Sequence, residues 1–444
     1  MIDFNPLTSG TSGSKVTWLP LLLIGLLLPY TKSSAESGTH PPSLPSSSGY
    51  LGEVRRDASG KLITITPPSA RNADAAPPAS GNVIKVGPGQ NIRLISTAAN
   101  LAKDGDTIEI DAGDYAADVA IWKQNNLTIR GVGGRVRIIA AGASAEKKAI
   151  WIVRGNRITV ENIEFTGARV PDKNGAGIRF EKGHLIVRNC RFIDNENGIL
   201  TGGGNLDLEI ENSEFGHNGA GDGYSHNLYV GAIRMLRVTG SYFHHAKAGH
   251  LLKSRAAENH ILYNRLTDET DGRASYELEF PNGGIAYVIG NIIEQSKTTE
   301  NPNLISFGAE GYKHPANELY LINNTLVDKR VESGFFLAVR PGFNVVKAYN
   351  NLLLGKRPLN TGGIDGEFIN NPNVGDDSFI LADRHDFRIQ RDSPLHRTWR
   401  SPDSANGLSL SPDREYVPPA STRPLTTMPT LPGARQTLEP DRAD

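Results

Sequence analysis

Apolar residues recur at every second position in short runs along most of this chain, and the runs themselves repeat. One six-residue pattern carries the repeat: apolar, any, Asn or Gly, any, any, large apolar. It reads Val160-Glu161-Asn162-Ile163-Glu164-Phe165, then Val187-Arg188-Asn189-Cys190-Arg191-Phe192, Ile210-Glu211-Asn212-Ser213-Glu214-Phe215 and Val238-Thr239-Gly240-Ser241-Tyr242-Phe243. Degenerate copies fall around Tyr263, Gly290, Asn323 and Asn350, so the third position advances in steps of 27, 23, 28, 23, 27, 33 and 27 residues. A repeat of that length marks a stacked solenoid, in which each copy buries its apolar side against the next. An apolar spacing of two, rather than three to four, excludes helical repeats. Each copy also holds a further short strand, such as Gly177-Ile178-Arg179-Phe180 or Gly198-Ile199-Leu200. Two or three strands per turn, Gly and Asn at the corners and no intervening helix predict an all-β chain wound as a parallel β-helix of about nine or ten coils. Asn162, Asn189 and Asn212 are read as structural, because short amides tolerate left-handed corners and bond along the stack.

A solenoid needs its ends covered. Residues Ile92 to Ala102 read as a short amphipathic helix ahead of Gly105-Asp106-Thr107-Ile108-Glu109-Ile110 and Leu127-Thr128-Ile129-Arg130-Gly131. This order of helical cap and strands resembles the right-handed parallel β-helix proteins of the pectate-lyase superfold, and the resemblance covers residues 86–355. Asp386-Phe387-Arg388-Ile389 and Ser393-Pro394-Leu395 are expected in an irregular carboxyl-terminal cap over 356–424, followed by a disordered tail over 425–444. Residues 36–85 are rich in Pro, Ser and Ala and predict a linker, since such a segment buries too little apolar surface to offset its ordering entropy. Before them, Lys15 precedes an apolar run from Trp18 to Leu28, too short to span a bilayer, and Ser33-Ser34-Ala35 offers small residues for cleavage. Residues 1–35 are therefore expected to be a signal peptide, with the mature chain secreted or periplasmic; the alternative is an uncleaved amino-terminal anchor.

Charge and cysteine content narrow the partners. With 47 Lys+Arg against 48 Asp+Glu there is no basic field for nucleic acid. A single cysteine, Cys190, excludes a disulfide framework and is expected to be buried. No integral membrane span is expected after signal cleavage, and the chain is expected to be a monomer.

Three successive strands are unusually rich in chemistry: Tyr224 to Gly231, Gly249 to Arg255, and Ser275 to Phe280. If Leu251 pointed inward, Lys253 and Arg255 would be buried with it, at prohibitive cost. Leu252 should therefore stack in the core with Leu228 and Leu278. The outward columns are then Asn227/Leu251/Glu277, Tyr229/Lys253/Glu279 and Gly231/Arg255/Pro281, with His226, His250 and Tyr276 at the strand starts. With coils about 4.8 Å apart and alternate residues about 6.7 Å apart, these groups share a patch on the order of 10–15 Å across. A cation, a base and a proton donor are what β-elimination of a uronate glycan requires. Arg255 suits the substrate carboxylate; Lys253, beside a second cation, suits the base; His226, His250 or Tyr229 suits the other proton transfer. Asn227, Tyr276, Glu277, Glu279 and Glu310 are the expected substrate contacts. The same set serves C5 epimerisation. Glu277 and Glu279, about 6.7 Å apart on one strand face, also fit an inverting hydrolase, and a non-catalytic glycan-binding wall is the remaining alternative.

Lys253-Ser254, with Glu258-Asn259 and Asn264 following, resembles chondroitinase B and the related alginate lyases. The resemblance implies a Lys base, an Arg acid one coil later, and calcium near the lysine, for which Asn227, Glu277 and Glu279 are the candidates. The later coil here carries Pro281-Asn282-Gly283-Gly284 and no Arg, and both glutamates stand on the coil after the lysine. His244-His245 are expected at a turn, since neighbours on a strand face opposite ways; Asp222 is likewise expected in a turn.

Overall fold

The computed structural model describes residues 81–331, 334–360 and 362–437, together with two three-residue strands, Val54–Arg56 and Leu62–Thr64, that pair antiparallel within the expected linker. The expected signal peptide lies outside the described residues. From Val83 onward the chain winds as a parallel β-solenoid of about ten turns. One wall is a nine-stranded parallel sheet: β1 (Ala120–Trp122), β2 (Ala149–Val153), β3 (Ala176–Phe180), β4 (Asn197–Thr201), β5 (Leu228–Val230), β6 (Leu252–Ser254), β7 (Leu278–Phe280), β8 (Asn303–Phe307) and β9 (Phe335–Val339). The other two walls interleave within a 21-stranded sheet whose last rungs are Glu367–Ile369 and Asn373–Val374.

The repeat pattern explains the corners. All eight third positions of the motif, Asn162, Asn189, Asn212, Gly240, Tyr263, Gly290, Asn323 and Asn350, have positive φ, between 48° and 67°. The side-chain ladder, however, runs one residue later than expected. Backbone amides of Asn264, Asn291, Asn324 and Asn351 donate to the side-chain oxygens of Asn291, Asn324, Asn351 and Asn371 on successive coils. The reason is geometric: the left-handed residue turns the chain, and the next side chain then enters the interior beneath the backbone of the coil before it. Cys190, Ser213 and Ser241 head the same ladder. Cys190 is buried, and desolvation pushes its thiol up to about 12. Inside, Phe165, Phe192, Phe215 and Phe243 stack with centroids 5.1, 4.7 and 4.7 Å apart.

A short helix, α1 (Ile95–Leu101), buries Ile95, Ala98 and Ala99, and the Asp118 carboxylate accepts from the amides of Ile95 and Ser96. The carboxyl-terminal segment departs from expectation. Leu359, Ile364 and Phe368 pack against the core at its final coils, and after the last rung the chain runs back along the side of the solenoid. Arg400 meets Asn350, Asn406 meets Tyr287, and Asp413 meets Tyr263. Residues 425–437 are not a loose tail: Leu431 and Ala434 are buried, and Asn323 donates to the carbonyls of Leu431 and Gly433. The segment is polar overall, but the outward apolar residues Ile292, Val327, Leu352 and Leu354 give its few hydrophobes a surface to cover. His385 pins it, 2.6 Å from Glu294 and 3.2 Å from Glu269.

The stacked phenylalanines should dominate local stability. Phe192→Ala, at the centre of the stack, is expected to cost about 3–5 kcal/mol through lost burial and a cavity, read as the shift in a chemical-denaturation midpoint.

Candidate functional site

Parallel pairing sets the site. Tyr229 on β5 lies beside Lys253 on β6, which lies beside Glu279 on β7. The same outward column continues through Ser306 and Ala338 in one direction and Leu200 and Arg179 in the other. Leu228, Leu252 and Leu278 stack in the core beneath it. The Lys253 ammonium is 2.9 Å from Glu279 and 3.2 Å from Glu310. Arg255 grips Glu310 with both arms of its fork, Nη1 to Oε2 at 2.6 Å and Nη2 to Oε1 at 3.0 Å, while Nη1 also reaches Asn282 Oδ1 at 2.7 Å. The guanidinium sits 5.9 Å from the centre of the Tyr229 ring.

Glu310 stands on the Gly308–Gly311 turn with its side chain 46% exposed, whereas Lys253 and Arg255 are 12% and 19% exposed. Arg255 first of all, with help from Lys253, holds its carboxyl down to about 2 against the opposing effect of burial. Behind these groups His226 and His250 stack face to face, 4.5 Å between centroids. His226 Nδ1 accepts from the His250 amide, and His250 Nε2 lies 2.9 Å from Glu279. Burial is the main reason both imidazoles have lowered pKa values; the neighbouring cations add to this for His226, and Glu279 partly offsets it for His250. Tyr276 meets His250 edge-on at 5.2 Å and lines an adjoining groove of about 430 Å³ with Ser306, Ala338 and Arg340.

Seven of the ten expected site residues converge directly: His226, Tyr229, His250, Lys253, Arg255, Glu279 and Glu310, with Tyr276 at the edge. Asn227 and Glu277 do not. Both are fully buried, as is Leu251, the residue between them in the expected outward column. Strict alternation fails there because strands β5 to β7 are only three residues long, and the residue before each lies in a corner where two consecutive side chains point inward. Asn227 ends an interior amide ladder, accepting from Asn218 and donating to the His244 carbonyl. With Asn227 and Glu277 inside and Glu279 paired to Lys253 and His250, the three calcium candidates do not share a face. Lys253 is also differently placed from expectation: its ammonium touches two carboxylates, which removes the argument that a neighbouring cation readies it as a base. Ser254 and Asn259 are interior and bonded to each other. Asn282 was missed; its signal was position, one residue after Pro281 in the Arg255 column.

These features define a right-handed parallel β-helix. A family model described as "Right handed beta helix region" matches residues 118–266. The crystal structure of pectate lyase Pel9A superposes with a TM-score of 0.54 at 12% identity, over 80% of this chain and 96% of that one, a likeness that shows the fold alone. A PL6 family alginate lyase (TM-score 0.30, 15% identity, 73% of this chain and 47% of that one) and a pectin methylesterase from Aspergillus niger (0.28, 13%, 73% and 88%) overlap too loosely to carry an argument. A search of curated proteins found no match. Among the described residues no helix is long and apolar enough to cross a membrane.

Glu277 belongs instead to a buried acidic group. Thr299 bridges it to Asp268, its hydroxyl oxygen 3.4 Å from Glu277 Oε1 and 3.1 Å from Asp268 Oδ2. Desolvation, then mutual repulsion, holds Glu277 well above the usual carboxylate range, and desolvation raises Asp268 to about 7. A carboxyl whose folded pKa lies above its unfolded value favours folding least once both states are ionised. The contribution of Asp268 should therefore be full below 3.8 and fall as pH rises through about 7. Asp268→Asn is expected to flatten that part of the Tm-versus-pH curve; an unchanged slope would contradict the assignment.

Proposed function

We propose that this chain is an exported polysaccharide lyase that cleaves a uronate-containing glycan by β-elimination. The observation that carries the reading is the carboxylate already held at the site: Arg255 binds Glu310 bidentately and Lys253 shares one of its oxygens. Forked recognition of this kind suits a carboxylate on a sugar equally well. Glu310 is half-exposed on a turn, so a uronate carboxylate entering along the groove can displace it and inherit its two cations.

The chemistry follows from that pose. Bound by Arg255, the substrate carboxylate accepts the charge that develops as the C5–H bond breaks. The electron pair forms the C4–C5 double bond, the C4–O4 bond breaks, and O4 takes a proton. Lys253, an ammonium between two carboxylates, is the donor to O4. Tyr229, beside the guanidinium, takes the C5 proton as a phenolate, having first released its own proton to solvent. His250 and Glu279 act through position, since His250 Nε2 and the Lys253 ammonium lie 2.9 Å from the same Glu279 oxygen. Burial of Glu277 argues against the inverting-hydrolase alternative, which needs two carboxyls facing the sugar.

Incubation with alginate, pectate and hyaluronan tests the reading: elimination yields an unsaturated, ultraviolet-absorbing product, and hydrolysis yields reducing ends without it. Lys253→Ala and Arg255→Ala are each expected to lower turnover by about 10²–10⁴-fold while the β-helix still folds; full activity in either variant contradicts the assignment. Glu310→Gln removes an internal competitor and should lower KM without lowering kcat, whereas a collapse of kcat would make Glu310 part of the chemistry.

A further inference from the structure

On the corner before β6, three imidazoles from two coils converge. The stacked strands Glu214–Gly216 and Tyr242–His244 pair Gly216 with His244, and each strand is followed by a histidine in the left-handed region, His217 (φ 56°) and His245 (φ 46°). His244 and His245 stand at a turn, as expected, and the left-handed conformation of His245 brings the two consecutive side chains to one side. His244 Nδ1 lies 2.7 Å from His245 Nδ1, and the His217 ring stacks on His245 at 4.6 Å. One ligand nitrogen from each ring falls within 4.8 Å of the others.

We propose that His217, His244 and His245 bind a divalent transition metal of the zinc class. Three further observations point the same way. The ring nitrogens turned away from the convergence are held by carboxylates: His244 Nε2 is 3.3 Å from Glu214 and His245 Nε2 is 3.2 Å from Asp271. This is the outer arrangement that orients metal-binding imidazoles and raises their basicity. Second, a side chain at Gly216 would strike the His244 ring, 2.2 Å from Cε1 and 2.3 Å from Nε2, so the glycine makes room for that ring to fold back. Third, the nearby cation is turned aside: the Lys247 ammonium is bound to Asp194 at 2.5 Å.

The fit requires little movement. Tetrahedral ligands about 2.0–2.1 Å from zinc stand roughly 3.3 Å apart, so the two Nδ1 atoms, now 2.7 Å apart, need to separate by about 0.6 Å. His217 is exposed and can swing to complete the set. Three imidazoles leave a fourth position toward a cavity of about 360 Å³ lined by Lys247, Asp271, Arg273 and Glu300. The inference stands apart from the lyase reading, since none of these residues belongs to the Lys253–Arg255 cluster.

Chelator-stripped full-length protein without a histidine tag, titrated with Co²⁺ and then Zn²⁺, tests it. The expected result is one ion per chain, a cobalt absorption band typical of nitrogen ligands in a four-coordinate site, and its loss on adding zinc. His217→Ala, which alters an exposed side chain and should leave metal-free unfolding unchanged, is expected to weaken binding at least about tenfold, and Glu214→Gln about 10–100-fold. Absence of one-to-one binding, or unchanged affinity in both His217→Ala and His245→Ala, overturns the proposal.

Discussion

Everything at the candidate site depends on in-register parallel pairing between adjacent coils. Backbone hydrogen bonds fix the rise from coil to coil, and stacking of Leu228, Leu252 and Leu278 fixes which face of each strand is buried. Once those two conditions hold, Tyr229, Lys253 and Glu279 stand side by side although each is 24 or more residues from the next in sequence. A one-residue slip of β6 would bury Lys253 and present Leu252 to solvent, at a cost in desolvation that the chain cannot meet. The register is therefore enforced by the same side chains that make the site.

The parts of this molecule legible in the sequence are those governed by regular repetition. Period-two alternation and the recurring Asn or Gly marked the coils, and the cost of burying Lys253 and Arg255 decided their direction without coordinates. Legibility failed where alternation stops. At three-residue strands the corner begins immediately, so Asn227, Leu251 and Glu277 turn inward together although a longer strand would send them out. His244 and His245 meet for the related reason that a left-handed residue reverses the alternation. The carboxyl-terminal strap was hidden because its few apolar residues matter only against a surface formed by distant coils.

Electrostatics divides the cluster into two layers. Inside, His226 and His250 are pushed toward neutrality chiefly by burial and stacked on one another, so they act as a platform beneath Glu279. Outside, Arg255 and Lys253 converge on one displaceable carboxylate at the rim. An internal anion of this kind keeps two close cations ordered, and its half-exposed position leaves it room to move. Glu277 lies in a third environment, beside Asp268 in the interior, where desolvation raises its pKa well above the usual carboxylate range.

The central claim is that the Glu310 carboxylate occupies the place of a substrate carboxylate. The most direct measurement is a crystal structure of the Lys253→Ala protein soaked with an oligouronide. The account predicts a sugar carboxylate in bidentate contact with the Arg255 guanidinium and Glu310 rotated away. An oligosaccharide bound on another wall, or bound here with the Arg255–Glu310 fork intact, would contradict it.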